Sequence, residues 1–323
     1  MSNRFDNKKL LSILGVLIII LLLTFILKVP KEKATLKGSL VELDTSDVSK
    51  IVIIPKISAG DPFEFVKENN KWTVRQGNIV SKPAEGAIQN ILNEILSIKP
   101  QSLAAVDKSK WKEFELTDSL ATKVKILNIK GKELADVLIG KFSYRQVANP
   151  YGYSGGDNIE GTSYVRVNNE KEIYAVEGFL AFSFNGKFSD WRDKTFIRCK
   201  TEDIIKITFT FPGDSSYLLI KKDSGWLAGD MLADSINVSN YLNELKYING
   251  QDFKDDFRPA SNPEYQMIVE GNNLLSFSVK CFSAEGTDDY ILNSSLNPDV
   301  CFASKKNGIF SQVFKPEKYF FKK

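Results

Sequence analysis

Apolar and polar residues alternate with a period of two over 49–55, 62–67, 205–211 and 216–221, and β-branched and aromatic side chains fill the apolar positions. That period places one set of side chains on one face of a strand, so each segment is predicted to be extended. Between paired segments stand "NNKW" (69–72) and "DSGW" (223–226). Their Asn-Asn and Ser-Gly supply residues that tolerate positive φ, which predicts hairpin turns. Trp72 and Trp226 then open the next strand. Core packing is the ordinary role for a Trp so placed; stacking on a carbohydrate is the functional alternative. The period changes at Ile88, Ile91, Leu92, Ile95 and Leu96, which recur at i, i+3, i+4, i+7 and i+8 and line one face of a helix over about 83–98. Pro83 suits its first turn. A second helix is predicted over about 235–248, further strands at 122–128, 134–140, 162–168 and 172–176, and a short helix near 177–183.

These elements occur twice in the same order. "DVSKIVI" (47–53) matches "DIIKITF" (203–209), "FEFVKENNKW" (63–72) matches "YLLIKKDSGW" (217–226), and "ILNEILSIKPQSL" (91–103) matches "YLNELKYINGQDF" (241–253). "FELTDSLATKVKI" (114–126) aligns loosely with "FRPASNPEYQMIV" (257–269), and "YVRVNNEKEIYAV" (164–176) with "VCFASKKNGIFSQ" (300–312). Ordered matches of this kind indicate an internal repeat. The expected fold class is α+β: a tandem duplication of a mixed, mainly antiparallel sheet unit with helices packed on one face. The first repeat is assigned to 39–189 and the second to 190–323.

Ahead of the repeats, residues 10–27 form an uncharged run, "LLSILGVLIIILLLTFIL", between Lys9 and Lys28. As a helix it is about 27 Å long, close to the hydrocarbon thickness of a bilayer. A cleaved signal peptide is the alternative, but the run lacks the small-residue cleavage pattern. The expectation is a single transmembrane helix with residues 1–9 as a cytoplasmic tail and 28–38 as a tether. Lysines flank both sides, so the positive-inside rule does not orient it; a short tail before one span favours export of residues 28–323.

Composition narrows the chemistry. The 323 residues carry a net charge of +3 with no long Lys/Arg block, which argues against nucleic acid as a partner. There is no histidine, which removes Ser-His-Asp and Cys-His nucleophile systems and His-containing zinc sites. Cys199, Cys281 and Cys301 match no metal-binding spacing; three buried thiols, or one bridge between Cys281 and Cys301, are both open. Neither a Walker A sequence nor GxGxxG is present. No catalytic residue, cofactor or metal site is assigned.

Two stretches stand out. "DWRDK" (190–194) follows the last helix of the first repeat and precedes the first strand of the second. Asp190, Trp191, Arg192 and Asp193 are read as a corner between repeats, with Trp191 packing across the junction and Arg192 forming a bidentate pair with a carboxylate, a role Lys fills poorly. The competing reading is an acid–base pair in a cleft. "NPYGYSGGDNIEGTSY" (149–164) is a Gly- and Tyr-rich insertion whose Tyr151, Tyr153, Asp157 and Glu160 are candidate partner contacts. A plain loop, or a cation site at Asp157 and Glu160, are the alternatives.

The apolar N-terminal run, the unit from Trp72 through Leu96, "FEL" (114–116), "LIGK" (138–141), "YVRV" (164–167) and "DWRDKTFI" (190–197) together resemble the bacterial DUF4340 family. "FEL" departs from the Phe/Tyr-Gly-Leu form commoner there. The resemblance implies a membrane-anchored extracytoplasmic protein of the bacterial cytoplasmic membrane, a noncatalytic accessory or scaffold partner of an ABC-type transporter complex of permease and auxiliary proteins. The alternative function is a binding module for an envelope glycan or lipid.

Overall fold

A computed structural model describes residues 38–56, 61–147, 158–258, 262–284, 286 and 289–322, together with Leu14 and Leu17, both helical and exposed. The rest of the run 10–27, the tether up to residue 37, and Tyr151, Tyr153 and Asp157 lie outside the described residues. Among the described residues no helix is long and apolar enough to cross a membrane.

The described strands form two large antiparallel sheets. The first contains β1 (Val48–Ile54), β2 (Phe63–Glu68), β3 (Lys71–Gln76), β4 (Ile79–Ser81), β5 (Pro100–Ala105), β6 (Thr122–Asn128), β7 (Glu133–Val147), β8 (Asn158–Val167) and β9 (Ile173–Glu177), in the order β4-β3-β2-β1-β6-β7-β8-β9-β5. A short strand, β10 (Thr195–Arg198), pairs with β15 (Tyr247–Asn249). The second sheet contains β11 (Ile204–Thr210), β12 (Tyr217–Lys222), β13 (Gly225–Ala228), β14 (Met231–Leu232), β16 (Asp252–Phe253), β17 (Tyr265–Gly271), β18 (Leu274–Ser283), β19 (Tyr290–Ser294) and β20 (Asn297–Ser304). Its order is β14-β13-β12-β11-β17-β18-β19-β20-β16, the first order strand for strand.

The alternation explains the burial. Ile51, Ile53, Phe63 and Phe65 point into the first core, and Ile207, Phe209, Tyr217 and Leu219 occupy the same register in the second. Helix α1 (Ala87–Leu96) covers the first sheet with Ile91, Leu92 and Ile95, joined by Leu180 and Phe184 of α2 (Leu180–Phe184). Helix α3 (Ser235–Leu245) and helix α4 (Ile309–Val313) do the same for the second sheet. The NNKW turn is as expected, with Asn69 at φ 50° and Asn70 at 61°; in DSGW, Gly225 takes φ 123°. Trp72 and Trp226 are half-buried at matching positions, each packed against its own core.

Two expectations need correction, and of the two cysteine readings the three buried thiols hold. Pro83 is not in the first turn of α1, which starts four residues later after Gly86; it bridges Arg192. The fifth sequence match is one strand out of register, because it lays β8 on β20. Pairing sets β8 against β19 and β9 against β20: Val165 faces Tyr174 as Leu292 faces Phe302, and Leu103 faces Tyr174 as Phe253 faces Phe302. The Cys281–Cys301 bridge is ruled out, since all three cysteines are free and buried. Cys281 pairs with Leu292 and Cys301 with Asn293, so β19 lies between them and they face opposite sides of the sheet. Two strand spacings, about 10 Å, exceed the reach of a disulfide. Burial pushes the Cys199 thiol up to about 11 and also raises Cys281 and Cys301. The native chain at pH 8 should therefore resist alkylation by iodoacetamide, and mass spectrometry should find three modified cysteines per chain only after denaturation.

The "FEL" turn keeps a glycine-like backbone without glycine. Glu115 sits at φ 58°, and the Leu116 N–H closes the turn on the Trp111 carbonyl at 2.7 Å. The left-handed region costs a non-Gly residue about 1 kcal/mol, more than the few tenths typical of an exposed ion pair such as Lys56–Glu115. Glu115→Gly should therefore raise stability by roughly 0.5–1 kcal/mol in urea denaturation.

Candidate functional sites at the junction and on a projecting ribbon

The corner residues act in two directions. Phe188–Trp191 form one 3-10 turn, and the Asp190 carboxylate accepts the Lys187 N–H at 3.0 Å and the Lys194 ammonium at 3.3 Å. The chain then runs beside residues 82–84: the Ala84 N–H donates to the Trp191 carbonyl and the Asp193 N–H to the Lys82 carbonyl, both at 2.8 Å. The Asp193 carboxylate accepts the Thr195 N–H at 2.9 Å. Both carboxylates are thus engaged in shaping the corner.

Trp191 does not pack across the junction. Its ring lies 5.9 Å from Phe63 and 5.7 Å from Phe65, within the first core. The second unit has the same closure. Glu317–Phe320 form a 3-10 turn, the Asp234 N–H donates to the Phe320 carbonyl at 2.7 Å, and the Phe320 ring lies 6.3 Å from Tyr217, the counterpart of Phe63. Trp191 and Phe320 are therefore equivalent clasps, each holding the end of a unit over its own sheet.

Arg192 is the residue that crosses. It is 3% exposed, and its guanidinium makes two parallel hydrogen bonds to Asp255, at 2.7 and 2.6 Å. It also stacks on Phe253, 3.7 Å from the ring centre. The planar fork matches the carboxylate, and its face matches the ring, which is the chemistry that separates Arg from Lys. An Arg198–Glu85 pair adds an exposed contact. Two clefts flank this lock. One, of about 420 Å³, is lined by Glu85, Asp190, Arg192, Asp193, Tyr247 and Asn249. The other, of about 630 Å³, lies between Asn78–Val80, the segment around Arg258 and the start of β20 at Pro298 and Asp299. Among the described residues no group of three or more His, Cys, Asp or Glu side chains is placed to hold a metal ion.

The second candidate stretch enters the described residues at Asn158, on a two-stranded ribbon formed by β7 and β8. β7 has 15 residues and β8 has 10, against 10 and 5 for their counterparts β18 and β19. Beyond Phe142, β7 pairs only with β8, and before Gly161, whose carbonyl accepts the Gly178 N–H at 2.9 Å, β8 pairs only with β7, so among the described residues the ribbon edges are open over 143–147 and 158–160. Glu160 lies on this ribbon, where its carboxylate pairs with Arg145 at 2.6 Å.

A β-bulge sets the ribbon's face. Ile139 opposes Val165 and Phe142 opposes Ser163, so β7 carries one extra residue there. Gly140 permits it: a Cβ at Gly140 would lie 2.1 Å from the Phe114 carbonyl oxygen, which also accepts the Lys141 N–H at 3.1 Å. The FEL turn thus clamps the bulge. The extra residue turns Phe142 and Tyr144 onto the face that Ile139 and Val165 occupy in the core. Outside the core they are exposed with Ile159 and Phe182. Phe142, Phe179 and Phe182 form a cluster with ring centres 4.8–6.0 Å apart, and the Phe179 ring packs so close to Gly161 that a Cβ there would clash with it. The signal that sequence reasoning passed over is a lone glycine inside a strand pattern. Gly140→Ala should cost about 1–3 kcal/mol by overpacking, read by urea denaturation, and should increase proteolysis within 141–147.

The family described as "Domain of unknown function (DUF4340)" matches residues 82–267. The chain belongs to this family. The DUF4340 match begins beside Pro83, takes in the ribbon and the Arg192–Asp255 lock, and ends on β17, so it spans the junction. No curated protein and no solved structure matches the chain.

Proposed function

We propose that this DUF4340 protein is a noncatalytic accessory subunit, tethered to the bacterial cytoplasmic membrane by residues 10–27 with its two sheets on the extracytoplasmic side. Its partner is a membrane protein complex of the ABC-transporter type. The observation that carries this reading is the ribbon, a two-stranded extension whose open edges offer backbone donors and acceptors to another chain. Strand addition of that kind is a common mode of protein recognition. The repeated strand order supports an origin by tandem duplication, with the ribbon added to one copy. Trp72, Trp191 and Trp226 are packed against the cores, which weighs against a glycan platform built from them.

Cross-linking in intact cells, gentle solubilisation and purification of the tagged full chain test the proposal. Recovery of a permease and its ATPase is the expected result. Reproducible recovery of the protein alone at natural abundance would overturn it.

A further inference from the structure

The exposed aromatic cluster and the point where the chain continues toward residues 10–27 lie at the same end of the first sheet. Phe142 faces Ser163, Ser163 faces Val176, and Val176 faces Pro100, so these four residues form one row across β7, β8, β9 and β5. The N-terminal segment docks at the end of that row, where the Leu40 N–H donates to the Ile98 carbonyl at 3.1 Å. Gly38 is two residues before Leu40. Three strand spacings, about 14 Å, separate the Pro100 and Phe142 ends of the row. Phe179 is closer still in the chain, three residues beyond Val176, and its ring rests on Gly161. Ten residues, 28–37, connect the apolar run to Gly38 and can span at most about 36 Å. A membrane entered at residue 27 is therefore held within reach of the cluster.

The cluster has the chemistry of a bilayer interface. Phe182 is 65%, Tyr144 67% and Ile159 57% exposed; Phe182 meets Phe142 and Phe179, and Tyr144 and Ile159 follow on the same face of the ribbon as Phe142. Exposed apolar groups of this kind mark contact surfaces, and Tyr144, a ring with one polar edge, is of the type favoured at the headgroup level. The connecting segment carries Lys28, Lys31, Lys33 and Lys37 against one acid, Glu32, a net positive charge that suits anionic lipid headgroups.

We propose that this aromatic face seats on the surface of the membrane that residues 10–27 enter, so that the first sheet is held against the lipid at its ribbon end. The inference rests on the reading of 10–27 as a membrane span. The full chain is reconstituted in vesicles of phosphatidylethanolamine and phosphatidylglycerol containing doxyl-labelled lipid. Phe182→Cys and Ile129→Cys are each labelled with a fluorophore. Both positions are exposed, the native thiols are buried, and Ile129 lies at the opposite end of the sheet, after β6. Lipid quenching at 182 at least twofold stronger than at 129 is the expected result. Equal quenching in chains that float with the vesicles overturns the inference and leaves the membrane span standing. Chains that fail to float overturn the span reading and the inference together. If a photo-cross-linker at 182 captures a protein in cell membranes while lipid quenching is absent, the occupant is a protein and the inference falls.

Discussion

Asp255→Ala should lower the stability of the chain by about 3–5 kcal/mol, the usual result of stripping the counter-charge from a buried ion. Arg192 is 3% exposed, so its guanidinium would be left without a carboxylate in a place water scarcely reaches. The reverse substitution, Arg192→Met, should cost less. Asp255 is about a third exposed and can regain solvent, and a methionine can still cover the Phe253 ring. The double variant Arg192→Met/Asp255→Ala should recover most of the loss, because an apolar pair replaces an ionic one without stranding a charge. Arg192→Lys should fall between, with one point charge in place of a fork. Urea denaturation of the four variants decides the matter. A loss below about 1 kcal/mol for Asp255→Ala would place the pair among solvated surface bridges and remove it as the lock between the units.

Phe320→Ala should cost about 3–5 kcal/mol, the range for deleting a fully buried aromatic ring. Phe320 is wholly buried and meets Tyr241 at 5.4 Å, Tyr217 at 6.3 Å and Phe209 at 6.5 Å. Trp191→Ala removes the equivalent clasp but a half-buried one, so its cost should sit near 3 kcal/mol. The location of the damage separates them. Hydrogen exchange should quicken in β1–β3 for Trp191→Ala and in β11–β13 for Phe320→Ala, since each ring packs on its own sheet. Equal loss of protection in both sheets from either variant would mean that the units unfold as one.

Local pattern made much of the fold legible. The alternation through Ile51, Ile53, Phe63 and Phe65 and the positive-φ pair Asn69–Asn70 act over a few residues, and strands and hairpins form where they indicate. The face of α1 was equally plain from its spacing. What escaped depends on partners distant in the chain. The β8–β20 mismatch arose because a short alternating stretch resembles any other until its neighbours are known. Trp191 reads as a linker residue because its counterpart, Phe320, is chemically different and lies past the last recognised match. Arg192 announced a bidentate bond, yet Asp255 is 63 positions away and carries no mark of its own. The ribbon's aromatic face depends on one extra residue at Gly140, which reverses the side on which Phe142 and Tyr144 emerge.

The lengthening of β7 and β8 without a matching change in β18 and β19 has a consequence for stoichiometry. Two copies of one sheet, left alike, would present two equivalent docking positions and could bind two partners or link them into chains. Only one copy bears the extension, so under the proposed function the ribbon would give each chain a single docking element. The duplicated body repeats one sheet order, and the ribbon breaks that symmetry.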